Sequence, residues 1–279
     1  MASLSQHPGR SAEDKCLTGA AQQLLCYCPD QKALLETALK YRGIFRLAAP
    51  FPHVAIDNLF PEGVLSGVLD EVLSRKNKQW TRWGSGSQFN ESDESIKLGL
   101  SREAAVGPMT RNFMLQLNSA MFLQFLAVLS GEPQNSLVGD PTFGGGGLHC
   151  TGPGGRLLVH ADVERHPLGK PFSQKLNIII YLNRDWPESY AGHLELWSRD
   201  GSHCVTEIAP LFNRTVIFES GTNTYHGHPK PLACPADRSR YSLAAYYYCI
   251  NRAIDENYTE FRKHVAWIQD EPVEAGGDR

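Results

Sequence analysis

From residue 137 onward the chain breaks into short apolar runs separated by turn signals, and no other feature narrows its possible folds as far. The runs are Gly144–Leu148, Leu157–Val159, Leu176–Leu182, His193–Trp197, Cys204–Ile208, Thr215–Phe218 and Tyr241–Ile250. Seven or eight short strands at this spacing predict a sandwich or an open barrel. The pattern upstream is helical. Leu17–Arg42 has helical periodicity interrupted at Pro29, with Leu24, Leu34, Leu35, Ala38 and Leu39 as core candidates. Pro61 opens a second helix in which Val64, Val68 and Val72 recur four apart beside Leu65, Leu69 and Leu73. Arg111–Leu129 reads as one strong helix. Helices first and strands second is the α+β order, with the N-terminal helices packed outside the sheet.

The predicted organisation has four parts. Residues 1–15 are a flexible terminus, and residues 16–136 are a helical support region that includes a short strand at Phe51–Asp57. Within it, residues 79–98 are polar and Ser-rich, and predict a long mobile loop whose Trp80 and Trp83 either form a substrate lid or pack the loop onto the barrel. Residues 137–252 form the strand-rich core. Residues 253–279 hold a last helix, near Asp255–Ile268, and a frayed tail.

Composition excludes several classes. A formal net charge of −3 gives no reason to expect nucleic acid as a partner. No apolar run approaches the roughly 20 residues of a membrane span, and the polar start lacks a secretory signal. Cys16, Cys26, Cys28, Cys150, Cys204, Cys234 and Cys249 contain no C-x-x-C pair, which points to reduced thiols and a cytoplasmic protein. Oligomeric state is not legible. Glycines 144–147 are followed by no Lys-Ser/Thr, so a phosphate loop is rejected.

The chemistry centres on His160-Ala161-Asp162 and, about 65 residues on, His226-Gly227-His228. Side chains two apart on a strand share a face, so His160 and Asp162 can clamp one ion. Two histidines and a carboxylate are the facial set that holds Fe(II) and leaves positions open. No H-E-x-x-H occurs, and the cysteines do not match a closed zinc site. The third ligand is His226 or His228. Arg240 and Ser242 sit two apart at the start of the last long strand, a pairing that can hold a carboxylate by a charged fork plus a hydroxyl. Tyr181, ending a long apolar strand, can meet the same carboxylate. These parts describe a metal site beside a dicarboxylate pocket. Three weaker signals read as structural: His166 as a loop residue, His193 with Glu195 as an exposed polar face, and Tyr246-Tyr247-Tyr248 as strand packing.

The ordered segments around this constellation resemble the Fe(II)- and 2-oxoglutarate-dependent dioxygenases, in particular the prolyl 4-hydroxylase branch with its oxygen-sensing members. The resemblance is carried by Leu176–Trp186 (LNIIIYLNRDW), the turn Ala191–Trp197, Ile208–Phe218 with its P-x-x-x-R-x-x-x-F pattern, the closing strand Arg240–Tyr248, and the entry Phe51–Pro61. It implies a double-stranded β-helix, or jelly-roll, core. It implies iron at His160, Asp162 and His226, the last favoured over His228 by the following Pro229. Arg240, assisted by Tyr181 and Ser242, is implied to hold 2-oxoglutarate, with Arg238 a lesser alternative. Those relatives carry a tyrosine near the position of Cys150; His149 beside it is an alternative contact for cosubstrate or substrate. The implied cofactors are Fe(II), 2-oxoglutarate and O2, with ascorbate in support, and the products succinate and CO2. The implied substrate is prolyl or amino-acid-like, on a peptide or a small molecule. A small-molecule oxygenase of specialised metabolism and a non-catalytic jelly-roll binding module are the alternatives.

Overall fold

Asp30 begins the first described helix by accepting hydrogen bonds from the backbone N–H groups of Lys32 and Ala33 at 2.9 and 3.2 Å. That helix, α1 (Gln31–Leu47), buries Leu34, Ala38 and Phe45. The computed structural model describes residues 29–74, 81–83, 97–100, 106–143, 146–162, 172–250 and 265–267. The predicted flexible terminus and the helix before Pro29 lie outside these residues. Leu39, predicted for the core, is 63% exposed, because the buried stripe runs through Leu34 and Ala38 instead.

Strand β1 (His53–Asp57) leads into α2 (Glu62–Ser74), which buries Val64, Leu65, Val68, Leu69 and Val72. The single helix predicted over Arg111–Leu129 is two helices, α3 (Pro108–Leu117) and α4 (Ala120–Ser130), bent by 48°. The break lies at Asn118-Ser119. Ser119 adopts an extended backbone and its hydroxyl accepts from the Phe122 N–H, so it caps a new helix instead of continuing the old one. Gly131 closes α4 in the left-handed conformation. Among the described residues no single helix is long and apolar enough to cross a membrane.

The remaining strands are β2 (Thr81–Trp83), β3 (Lys97–Leu100), β4 (Leu137–Gly139), β5 (Gly147–Thr151), β6 (Leu157–Asp162), β7 (Phe172–Tyr181), β8 (Leu194–Trp197), β9 (Cys204–Ile208), β10 (Arg214–Glu219), β11 (His226–His228), β12 (Arg240–Ile250) and β13 (Val265–Trp267). The larger sheet runs β1-β10-β7-β12-β5-β3-β2, with β4 also paired to β12; the smaller runs β13-β6-β11-β8-β9. From β5 to β12 the chain alternates between the two sheets, except for the β8–β9 hairpin within the smaller one. The fold is therefore α+β with a double-stranded β-helix core.

Period-two alternation positions everything that follows. On β7 and β12 of the larger sheet, Leu176, Ile178, Ile180, Leu243, Ala245 and Tyr247 join the helices in one apolar cluster. The intervening residues point toward the smaller sheet. There Tyr181, Val216 and Phe218 pack against Leu194, Leu196 and Ile208.

Two expectations are corrected. The stretch 79–98 is not all loop: Thr81–Trp83 and Lys97–Leu100 pair with each other, and Lys97–Leu100 also pairs with β5. The polar, Ser-rich composition between them hid two short strands whose stability comes from an existing sheet edge. Trp80 and residues 84–96 lie outside the described residues. Likewise Val265–Trp267, predicted as helix, is a strand on β6, where an open edge and a Val/Trp pair favour extension. The rest of the predicted C-terminal helix and tail lies outside the described residues.

Candidate metal centre and adjoining anion pocket

His160 on β6 and His226 on β11 are cross-strand partners, and their ring centroids are 4.5 Å apart. Each ring is oriented by its own strand. His160 Nδ1 lies 2.8 Å from the Leu158 carbonyl and His226 Nδ1 lies 3.0 Å from the Thr224 carbonyl. A carbonyl oxygen only accepts, so Nδ1 carries the hydrogen and Nε2 keeps its lone pair. Both Nε2 atoms point at Asp162, at 3.5 Å from Oδ1 for His160 and 3.6 Å from Oδ2 for His226. One donor atom from each of the three residues lies within 4.8 Å of the other two. Among the described residues this is the one cluster of His, Cys, Asp or Glu whose donors converge so closely.

Burial opposes ionisation of Asp162, but the hydrogen bond that His160 donates and the charges that both histidines carry when Nε2 is protonated, together with the Asn177 hydrogen bond, outweigh it. The carboxyl is held well below the usual aspartate range. Two imidazole nitrogens with lone pairs and one anionic oxygen, converging in a buried pocket, fit a borderline divalent ion such as Fe(II). The carbonyl partners at both Nδ1 atoms are the outer-shell bonds such ligands require.

His228 is buried on the same strand but stands outside this cluster. The β6–β11 register shifts between His226 and His228, and His228 pairs with Leu157. Gly227 makes this close passage possible. A Cβ there would stand 2.8 and 2.9 Å from the carbonyl oxygens of Leu157 and Leu158, nearer than real side chains come. The glycine was not anticipated, although its place between two histidines is a visible signal.

The larger sheet supplies the facing wall. Ser242 is the cross-strand partner of both His149 on β5 and Tyr181 on β7, so the three form one rung. Arg240, two residues earlier on the same strand, shares the inward face. All four are buried. Arg240 donates from Nε to the Gly192 carbonyl at 2.8 Å and from a terminal nitrogen to the Tyr181 hydroxyl at 3.2 Å. Burial lowers the pKa of Arg240 and raises that of Tyr181, each partly offset by the other. Among the described residues no carboxylate lies within ion-pair distance of Arg240. A buried guanidinium without a counter-anion is costly, so this wall fits an incoming carboxylate. His149, His228, Arg240 and Ser242 line one cavity together with His160, His226 and Asn177.

The other sequence candidates fall elsewhere. Arg238 donates to the backbone carbonyls of Arg184 and Asp185, away from the cavity. His166 and glycines 144 and 145 lie outside the described residues. Glu195, expected on an exposed polar face, is only 3% exposed: the Trp197 indole donates to it at 2.9 Å and Lys230 stands 3.5 Å away. The tyrosine run divides. Tyr247 donates to the Leu117 carbonyl of α3 at 3.0 Å, as packing predicts, while Tyr246 lines the cavity. Asn177, also unanticipated, donates to Asp162 Oδ2 at 2.6 Å. Its signal was a lone amide inside the otherwise apolar run LNIIIYL.

Comparison with known proteins agrees with this geometry. Residues 146–248 match the 2OG-Fe(II) oxygenase superfamily. The fold is similar to a prolyl hydroxylase from Trichoplax adhaerens, solved in complex with a hypoxia inducible factor oxygen degradation domain peptide fragment: TM-score 0.53 and 16% identity over 80% of this chain and 96% of that one. It is also similar to a prolyl 4-hydroxylase from Phytophthora capsici, with TM-score 0.51 and 20% identity over 80% of this chain. The match spans 66% of the length of the Phytophthora capsici protein. No curated protein matches.

Proposed function

From the premise that residues 146–248 are a 2OG-Fe(II) oxygenase superfamily domain, we propose that the chain hydroxylates an unactivated carbon of a prolyl or amino-acid-like substrate. Fe(II) with 2-oxoglutarate and O2 supplies oxidative decarboxylation to succinate and CO2, coupled to oxidation of a C–H bond. The protein supplies orientation. His160, Asp162 and His226 hold the metal on the smaller sheet, and their carbonyl-bonded Nδ1 atoms keep both rings in the ligating tautomer. Arg240, with Tyr181 and Ser242, binds the distal carboxylate of 2-oxoglutarate on the larger sheet, and His149 borders that carboxylate. Burial of the whole site excludes water from the reacting centre.

One observation carries the reading. The two histidines of a buried His-Asp-His cluster and a buried arginine lacking an acidic partner among the described residues line a single cavity. The prolyl or amino-acid-like substrate rests on the resemblance of Leu176–Trp186 and Arg240–Tyr248 to prolyl hydroxylases.

The test begins without oxygen. Adding Fe(II) and 2-oxoglutarate to the protein produces the weak visible charge-transfer band of the chelate, and admitting air with substrate yields succinate. Proline-bearing peptides screened against free amino acids then identify the substrate class. Absence of both the band and succinate leaves a binding module. His226→Ala abolishes Fe(II) binding while His228→Ala largely retains it; the reverse order moves the third ligand two residues on.

A further inference from the structure

A β-bulge in β7 aims two carboxamides at one oxygen of Asp162. Tyr247 pairs with Leu176, but the next residue, Tyr248, pairs with Gln174, so Lys175 has no partner of its own. In a regular strand residues three apart face opposite sides. The extra residue cancels one alternation, and Gln174 and Asn177 therefore face inward together. Lys175 points the other way, to Glu132 at 3.3 Å. Both carboxamides are buried, at 8% exposure for Gln174 and 1% for Asn177.

Their hydrogen bonds allow a single arrangement. Asn177 Nδ2 donates to Asp162 Oδ2 at 2.6 Å, and Gln174 Nε2 donates to Asn177 Oδ1. Gln174 Nε2 also lies 3.5 Å from Asp162 Oδ2. The ionised carboxylate only accepts and the Gln174 amide nitrogen only donates, so the Asn177 amide cannot be reversed. Asp162 Oδ2 is thus tied to the larger sheet, whereas Asp162 itself belongs to the smaller one. Oδ1, which stands 3.5 Å from His160 Nε2, is not held by either amide.

We infer that Asn177, oriented by Gln174, is a positioning residue that fixes the rotation of the Asp162 carboxylate so that it serves as a one-oxygen ligand. A carboxylate free to turn would have to be ordered when the ion binds, so fixing it in advance favours Fe(II) binding. This rests on the proposed function above. It adds a role for two side chains outside the ligand set, and explains why an amide at Asn177 interrupts the apolar half of β7.

The experiment measures Fe(II) affinity anaerobically, by chelator competition, in the full-length protein and in Asn177→Leu, Gln174→Met and the double variant. Asn177→Leu is expected to weaken Fe(II) binding by about 10- to 100-fold, the range for outer-shell partners of metal ligands. Gln174→Met weakens it less. Because Gln174 acts through Asn177, the double variant binds Fe(II) within roughly threefold of Asn177→Leu alone. At saturating Fe(II), 2-oxoglutarate affinity stays within roughly threefold of wild type in all three, a separation that general loosening of the core would not give. Unchanged Fe(II) affinity in folded Asn177→Leu, or fully additive losses, overturns the inference. If Asn177→Leu does not fold, Gln174→Met decides alone: unchanged affinity there is equally fatal. A wild-type chain with no affinity for Fe(II) overturns the proposed function itself, and this inference with it.

Discussion

Arg240 shows how far a single residue can be read. Its spacing from Ser242 marked both as an anion pair, and that spacing is a property of any strand. Tyr181 was expected beside it; the missing information was the backbone carbonyl of Gly192 and, among the described residues, the lack of an acid. Such a guanidinium is poised for an anion at the expense of stability in its absence. Arg240→Ala should therefore weaken 2-oxoglutarate binding by roughly thirtyfold, corresponding to about 2 kcal/mol for a charge-assisted hydrogen-bonded pair. The ligand-free protein should melt no lower than wild type, because an uncompensated buried charge has gone. Cosubstrate titration under anaerobic conditions measures the first and thermal unfolding the second. Wild-type affinity in the variant refutes the anion-site assignment. His160 and Asp162 were legible for the same reason as Arg240, since a two-residue step on a strand needs no knowledge of the fold. Gln174 and Asn177 were not, because only the bulge between them makes a three-residue step share a face.

The elements divide along the same line. Strands β7 and β12 were visible as long apolar runs, whereas β11 was not: His-Gly-His is three residues without alternating polarity, and its identity as a strand depends on β6 and β8 beside it. Gly227 is what allows that approach. Gly227→Ala should force β11 away from β6, costing about 1–3 kcal/mol as overpacking does and weakening Fe(II) binding at the same time. Gly221→Ala is the control, since a Cβ at Gly221 meets nothing within 4 Å. Equal effects at the two glycines, read by denaturant unfolding and metal titration, would falsify the steric account. At the other end of the larger sheet β1 is fastened to β10 by Asp57, which accepts from Arg214 Nε at 2.6 Å and from its terminal nitrogen at 2.8 Å. The Arg214 hydrogen bond lowers the Asp57 pKa against a smaller opposing effect of burial. A depressed carboxylate contributes stability that is fully present above its unfolded value, near 3.9, and disappears as pH falls through the native value. Because the Asp57 side chain is 56% exposed, solvent screening limits the contribution to under about 1 kcal/mol. Asp57→Asn should accordingly lower stability by that amount at pH 7 and by nothing measurable near pH 2. A deficit that persists in acid would assign the effect to packing instead.

At the scale of the whole molecule, the division of labour between sheets makes binding a mechanical matter. His160, Asp162 and His226 all lie on the smaller sheet, while Arg240, Tyr181, Ser242 and His149 lie on the larger. The sequence order of helices and strands predicted a layered α+β core, but it carried no statement of which strand belongs to which sheet; that follows from pairing over long separations. A metal ion by itself draws together strands that are already neighbours, β6 and β11. Under the proposed function, a keto acid bound to that ion and to Arg240 would tie one sheet to the other. The two ligands should then be thermodynamically coupled: 2-oxoglutarate without metal shifts the melting temperature little, Mn(II) as a redox-inert stand-in for Fe(II) shifts it moderately, and both together exceed the sum. At a ligand concentration of roughly 100 times Kd the linkage contribution is about 2.7 kcal/mol. With roughly 2–4 °C per kcal/mol for chains of this order of size, the combined shift should be several degrees, and a chelator should reverse it. Arg240→Ala should keep the Mn(II) shift and lose the excess, because its metal ligands are intact and its bridge is not. A full shift from 2-oxoglutarate alone, or an excess that survives in Arg240→Ala, would mean that the cosubstrate does not join the two sheets through the metal.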